Sequence, residues 1–252
     1  RSRSGGDAEV GKCTGCDGGS PAWTKIGGDS TGTGDDSWGN VYEEVSALHI
    51  TSTRLLVVGL GLTNIDSEVW SCDLAGTCNV TTGWTKRGGD GTGVSPQSWA
   101  STTYEEVRSI TSSGSTVYVG LGSGAGDAEV WRCATITSCT PTTGWTRVGG
   151  DAINSSWANT TYERVWSLLA DGTTVYAGLG DTAGDAEVWK CAGCDGGSPV
   201  WSQIGGDGTG IPPASWGSQT GASFLYASSL AKIGNQLFVG ASSGVGTSGA
   251  EM

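Results

Sequence analysis

The chain has 252 residues, of which 45 are glycine and 12 tryptophan, against 2 phenylalanines and 1 methionine. A net charge of −12 and a pI near 4.3 set it against phosphate-rich partners and anionic membranes, so neither nucleic acid nor membrane insertion is expected. Abundant Gly, Ser, Thr and β-branched residues disfavour helices. Regularly recurring Val, Leu, Ile and Trp argue against disorder, and no apolar run reaches the ~18 residues of a membrane helix.

In chain order, two strands come first, at 8–12 and 22–26, opened by GDAEVG at 6–11. Three blocks follow, 42–87, 104–148 and 162–204, each holding four short strands. In the third block these are 163–169, 174–179, 186–191 and 200–204, the first two joined by ADGT, a hairpin signal. Two more strands are expected at 225–230 and 236–240, before GAEM at 249–252.

The blocks share one register. Trp23, Trp84, Trp145 and Trp201 are spaced 61, 61 and 56 residues apart. Each leads to a Gly-Gly-Asp ending at Asp29, Asp90, Asp151 or Asp207, and then to a Ser-Trp at Trp38, Trp99, Trp157 or Trp216. An aromatic-led run follows: YEEVSAL, YEEVRSI, YERVWSL and FLYASSL. A β-branched run then ends in Gly59, Gly120, Gly178 or Gly240, a site that often marks close approach of another backbone. The phrase GDAEVW at 126–131 and 184–189 opens the third strand of its unit, as DSEVW does at 66–70.

Units of four antiparallel strands predict the blades of an all-β propeller forming a single domain, with repeats of about 6–65, 66–126, 127–184 and 185–248. The ends of the chain are expected to share one blade: strands three and four from the beginning, one and two from the end. That makes four blades closed into a ring, without exposed sheet edges. The rival is a fragment of a longer array, in keeping with an opening on Arg1 rather than Met. The rhythm TVYVGLG, AEVW and then W resembles β-propeller repeats over the whole chain, including lectin-type and sensor-type ones. Kelch and WD signatures are missing.

Eight cysteines fall in pairs between third and fourth strands: Cys13 with Cys16, Cys72 with Cys78, Cys133 with Cys139, and Cys191 with Cys194. One pair per repeat reads as local disulfides and an oxidising, extracellular or cell-surface location. CTGC and CAGC have zinc-knuckle spacing, but the two middle pairs are five residues apart in between. Sequons at Asn79, Asn154 and Asn159 fit secretion.

The loops from GGD to YEE, and those after the second strands, are expected to share a face opposite the cysteine loops. The candidate ligand residues there are Asp29, Trp38, Asp90, Trp99, Asp151, Trp157, Asp207, Trp216, Glu105 and Glu163. An aromatic ring suits the C–H face of a sugar, and carboxylates accept its hydroxyls. This favours a multivalent, lectin-like binder of carbohydrate or cell-surface glycan. The same tryptophans also fit a wedge between blades, and the aspartates a turn role.

The alternative is a structural or adhesive protein that binds other proteins or itself. Catalysis is not expected: the motifs are copied rather than asymmetric, and His49 is the only histidine. The neighbours Glu43/Glu44 and Glu105/Glu106 point to opposite faces of a strand, so neither pair converges on one site. No cofactor is called for. The loop at 27–40, with Asp29, Asp35 and Asp36, leaves calcium open as a metal.

Overall fold

The computed structural model describes residues 8–28, 37–38, 44–61, 67–89, 98–99, 106–122, 128–150, 152–157, 162, 164–181, 186–206, 224–242 and 250–251. The described chain is all-β, built of curled antiparallel sheets, with two short 3-10 turns as its only helical elements.

β1 (Glu9–Thr14) and β2 (Ala22–Gly28) pair with one another. A first unit comprises β3 (Glu44–Ile50), β4 (Leu55–Gly61), β5 (Glu68–Asp73) and β6 (Trp84–Gly89). A second comprises β7 (Glu106–Ser113), β8 (Thr116–Gly122), β9 (Glu129–Cys133) and β10 (Trp145–Gly149). The third holds β11 (Arg164–Asp171), β12 (Thr174–Gly180), β13 (Glu187–Ala192) and β14 (Val200–Gly206). Then come β15 (Tyr226–Ile233), β16 (Gln236–Ser242) and the two-residue β17 (Ala250–Glu251). Every expected strand is present to within a few residues, and Gly172 turns the ADGT hairpin at φ +59°.

Within each unit the second strand is the most buried. LLVVGLG of β4 is buried along its whole length, which explains a continuous apolar run where a half-exposed strand would alternate. Its glycine is a contact between units. A Cβ at Gly59 would lie 2.7 Å from Val107, one at Gly120 2.7 Å from Val165, and one at Gly178 2.5 Å from the Ala227 carbonyl oxygen. Beside these glycines, Ser46, Ser109 and Ser167 donate to the carbonyls of Val107, Val165 and Ala227 at 2.7, 2.9 and 2.9 Å. The close backbone approach expected at this position is therefore present at all three seams.

The outer strands are joined by tryptophan. Trp84, Trp145 and Trp201 each send their indole N–H to the preceding unit's fourth strand. The acceptors are the carbonyls of Ile26, Arg87 and Val148, at 2.8, 2.8 and 2.7 Å. Each acceptor sits where the ladder skips a residue, at a bulge that turns its carbonyl outward. The next residue is the first glycine of Gly-Gly-Asp, covered by two indoles: a Cβ at Gly88 would lie 2.6 Å from Trp99 and 3.0 Å from Trp145.

All four expected disulfides are made, with Cα–Cα separations of 6.0, 5.7, 6.3 and 5.8 Å, and each ties the loop between third and fourth strands. The expected sharing of one blade is not seen among the described residues. β1–β2 form a sheet of their own packed on the first unit, and the third place beside β16 is taken by β17. β17 carries the Ala-Glu pair that also stands at 8–9, 128–129 and 186–187, where β5 has Ser67-Glu68.

Gly88→Ala should therefore lower stability by about 1–3 kcal/mol, the usual cost of overpacking. Gly197→Ala, where a Cβ meets nothing within 4 Å, should stay within about 0.5 kcal/mol of wild type. Chemical denaturation monitored by tryptophan fluorescence measures both.

Candidate functional site

The predicted ligand tryptophans are not surface rings. Trp38, Trp99 and Trp157 are 5%, 1% and 2% exposed. They stand edge-on to Trp84, Trp145 and Trp201 at centroid distances of 4.9, 5.2 and 5.1 Å. Trp99 and Trp157 donate to the carbonyls of Ser67 and Ala128 at 3.2 and 2.8 Å. The expectation that these rings meet a sugar is corrected, because they fill the seams between units and leave no face free. Asp29, Asp90, Asp151, Asp207, Trp216, Glu105 and Glu163 lie outside the described residues.

The two-face expectation also changes at the outer strands. Ser37 and Ser98 donate to the carbonyls of Val80 and Pro141, beside the next unit's cysteine loop, at 2.8 and 3.0 Å.

The repeated phrase is structural as well. Glu68, Glu129 and Glu187 accept from the indole two residues on, at 2.7, 2.7 and 2.8 Å. Glu9, Glu68 and Glu129 also pair with a cation of the fourth strand, respectively Lys25, Lys86 and Arg147. His49 bonds Ser112 of the adjacent unit at 2.7 Å, and burial lowers its pKa.

A different group of residues gathers where the units come closest together. Glu44, Glu106, Arg164 and Tyr226 occupy one register position, at the start of the first strands, opposite Gly61, Gly122, Gly180 and Ser242. Two residues on stand Ser46, Arg108, Trp166 and Ser228. Single bridges, Gly61 to Glu106 and Gly180 to Tyr226, bring neighbouring units into contact at this position.

The side chains there form one network. Glu106 pairs with Arg108 and, at 3.7 Å, with Arg164, which lies 3.9 Å from Asp181. Glu44 shares a hydrogen bond with Glu106. Trp166 stacks on Tyr226 at 4.2 Å and 18°, with the guanidiniums of Arg108 and Arg164 over its ring at 4.8 and 5.7 Å. Its indole donates to the Gly180 carbonyl at 2.7 Å.

Burial pushes the Glu106 carboxyl up to about 7. Arg108 opposes the rise, the hydrogen bond and charge of Glu44 add to it, and Arg164 opposes it more weakly. Two carboxyls this close hold one proton between them more readily than either holds one alone.

Sequence reasoning missed this cluster. It tested adjacent glutamates within one strand, and the two that meet, Glu44 and Glu106, come from different units. It read the motifs as copied rather than asymmetric, whereas Glu, Glu, Arg and Tyr stand at one register position. The available signal was the break in the YEE, YEE, YER, FLY series.

Among the described residues no three potential metal ligands gather. No family model matches this sequence, and no curated protein matches it. Two solved structures are similar at low identity. One is Ika8, a computationally designed protein, at TM-score 0.42 and 14% identity, the alignment covering 95% of this chain and 56% of that one. The other is an α-L-arabinofuranosidase from Lactobacillus brevis, at TM-score 0.45 and 12% identity, covering 91% and 74%.

Two outcomes follow from the geometry. Trp99→Ala should cost about 3–5 kcal/mol in chemical denaturation, as for a buried aromatic. The Glu106 carboxyl binds its proton more tightly folded than unfolded. Its contribution to stability is complete below its ordinary 4.5 and is lost as pH rises through about 7. Glu106→Gln should therefore flatten the fall in melting temperature over that interval, and an unchanged slope would remove the shared proton from the account.

Proposed function

We propose that the protein is an extracellular or cell-surface β-propeller whose four units serve binding rather than catalysis, with carbohydrate as its ligand. The observation that carries this reading is the cluster around Trp166. A stacked aromatic pair, two guanidiniums and three carboxyls converge at the strand ends from which the inner connections emerge. The half-buried Trp166–Tyr226 pair leaves part of its apolar ring surface for sugar C–H groups, and the fixed charges around it suit hydroxyls through charge-assisted hydrogen bonds. The four disulfides support an oxidising environment. Among the described residues no helix is long and apolar enough to cross a membrane.

This moves the proposed site from four loop copies to one place where the copies differ. Asp29, Asp90, Asp151, Asp207, Trp216, Glu105 and Glu163 stay in the proposal as candidate ligand residues, and calcium as a candidate companion of their carboxylates.

A glycan array, run with calcium and with chelator, tests it. Wild type should bind one sugar class. Trp166→Ala should lose at least ~10-fold in affinity while melting cooperatively, and Gly197→Ala should bind as wild type. A blank array from folded, disulfide-intact protein overturns the reading.

A further inference from the structure

We propose that copies of this chain join head to tail, with the β1–β2 hairpin of one copy completing the β15–β16 sheet of the next. This rests on the packing between units and not on the sugar reading.

The internal seams supply the rule. The indole donors are Trp84, Trp145 and Trp201, and the acceptors are the bulged carbonyls of Ile26, Arg87 and Val148. Each acceptor lies three residues after its own strand's tryptophan. The fourth acceptor by that rule is Ile204, skipped in the same way between Gln203 and Gly205 where β14 pairs with β13. No indole among the described residues reaches it. The fourth donor is Trp23, whose ring is 72% exposed. Each has the partner's half of a contact that the fold makes three times.

The ladder register agrees. Glu251 of β17 sits opposite Ala241, as Glu68 sits opposite Leu60, Glu129 opposite Leu121 and Glu187 opposite Leu179. The edge of β16 therefore already accepts a third strand in the common register. β1 opens on the same Ala-Glu pair at Ala8 and Glu9, and runs on to Thr14 with β2 attached. It offers a full ladder where β17 offers two residues, so the incoming hairpin displaces β17.

The exposed apolar side chains mark the same two faces. Leu48 and Ile50 on β3, with Trp23 on β2, form one face. Ile204 on β14, Ile233 on β15 and Phe238 on β16 form the other. The counterparts of Phe238 in the three complete units, Val57, Tyr118 and Tyr176, are at most 9% exposed, against 50% for Phe238. The three atoms nearest a Cβ at Gly240 belong to Ser228 and Ser229 of its own unit, where those nearest the other three glycines include the next first strand.

The occupant is a second copy because this chain's own β1–β2 carries the indole donor and the Ala-Glu opening that match the Ile204 carbonyl and the β16 register. β1–β2 is already held to the first unit by Trp84 and a shared core. Two different faces that fit each other make a heterologous contact. Joining two copies moves none of the described units and releases only β17.

Sedimentation velocity on the 252-residue chain, up to about 100 μM, tests this with surface variants that leave the seams untouched. Wild type should assemble with rising concentration. Trp23→Asp and Phe238→Asp should each weaken assembly at least ~10-fold, as for loss of an aromatic anchor. Near-UV circular dichroism should match wild type in both. An equimolar mixture of the two variants should restore a dimer, since one keeps an intact β16 face and the other an intact Trp23 face. A wild type that stays monomeric throughout overturns the proposal, whether its faces are free or closed on each other. So does a mixture that stays monomeric.

Discussion

The fold depends on one contact, an indole N–H reaching across to a carbonyl that a bulge has turned out of its own ladder. A lone unit of four short strands cannot bury both faces of its sheet, so it needs neighbours. The bulge supplies an acceptor that the sheet does not use, the following glycine clears space, and two edge-on tryptophans fill it. Each N–H bond contributes about 1 kcal/mol net, and each edge-on aromatic pair about 0.5–1.5 beyond burial. These are modest terms. Repetition, and the exclusion of water from every seam, make them decisive.

The outer strand would otherwise be the weak point of each unit, since it is furthest from the core. Three devices hold it. The disulfide fastens the loop that leads into it. The glutamate of the EVW phrase ties the third strand's own indole to a lysine or arginine of the fourth. Ser37 and Ser98 then hook the strand's far end to the next unit's cysteine loop. A surface ion pair alone contributes little. Here the carboxylates of Glu68 and Glu129 are almost fully buried beside their indoles, so removing the cation would strand a charge inside the protein.

The periodic part of this design was readable in the sequence because each motif has a fixed spacing. Tryptophan, Gly-Gly-Asp and the glycine after the second strand gave the strands, the units and the cysteine pairing directly. What could not be read was orientation. Trp38, Trp99 and Trp157 follow polar loops, which suggested exposure, but each is buried edge-on against Trp84, Trp145 or Trp201. The pairing of EVW with WTK or WTR was equally present in the letters. Recognising it required the bulge, which drops Arg87 from the ladder and sets Lys86 opposite Trp70, within side-chain reach of Glu68. The meeting of Glu44 with Glu106 was hidden because a sequence comparison aligns equivalent positions, whereas at the start of the first strands those positions become neighbours.

That last point separates scaffold from site. Positions that repeat are bound by the geometry of the seam, and changing one copy damages one interface. The first residue of each first strand is freer, because its side chain meets its own counterparts rather than a fixed groove. Four identical glutamates there would concentrate like charge in a half-buried space, at a cost that grows as water is excluded. The chain instead places Glu44, Glu106, Arg164 and Tyr226 in that register, so that acid, base and ring neutralise and stack on one another. The raised Glu106 carboxyl, hydrogen-bonded to Glu44, is what remains of the repulsion. Asymmetry at this position thus relieves a strain that perfect repetition would create, and it leaves a polar, aromatic cluster unlike any other among the described residues.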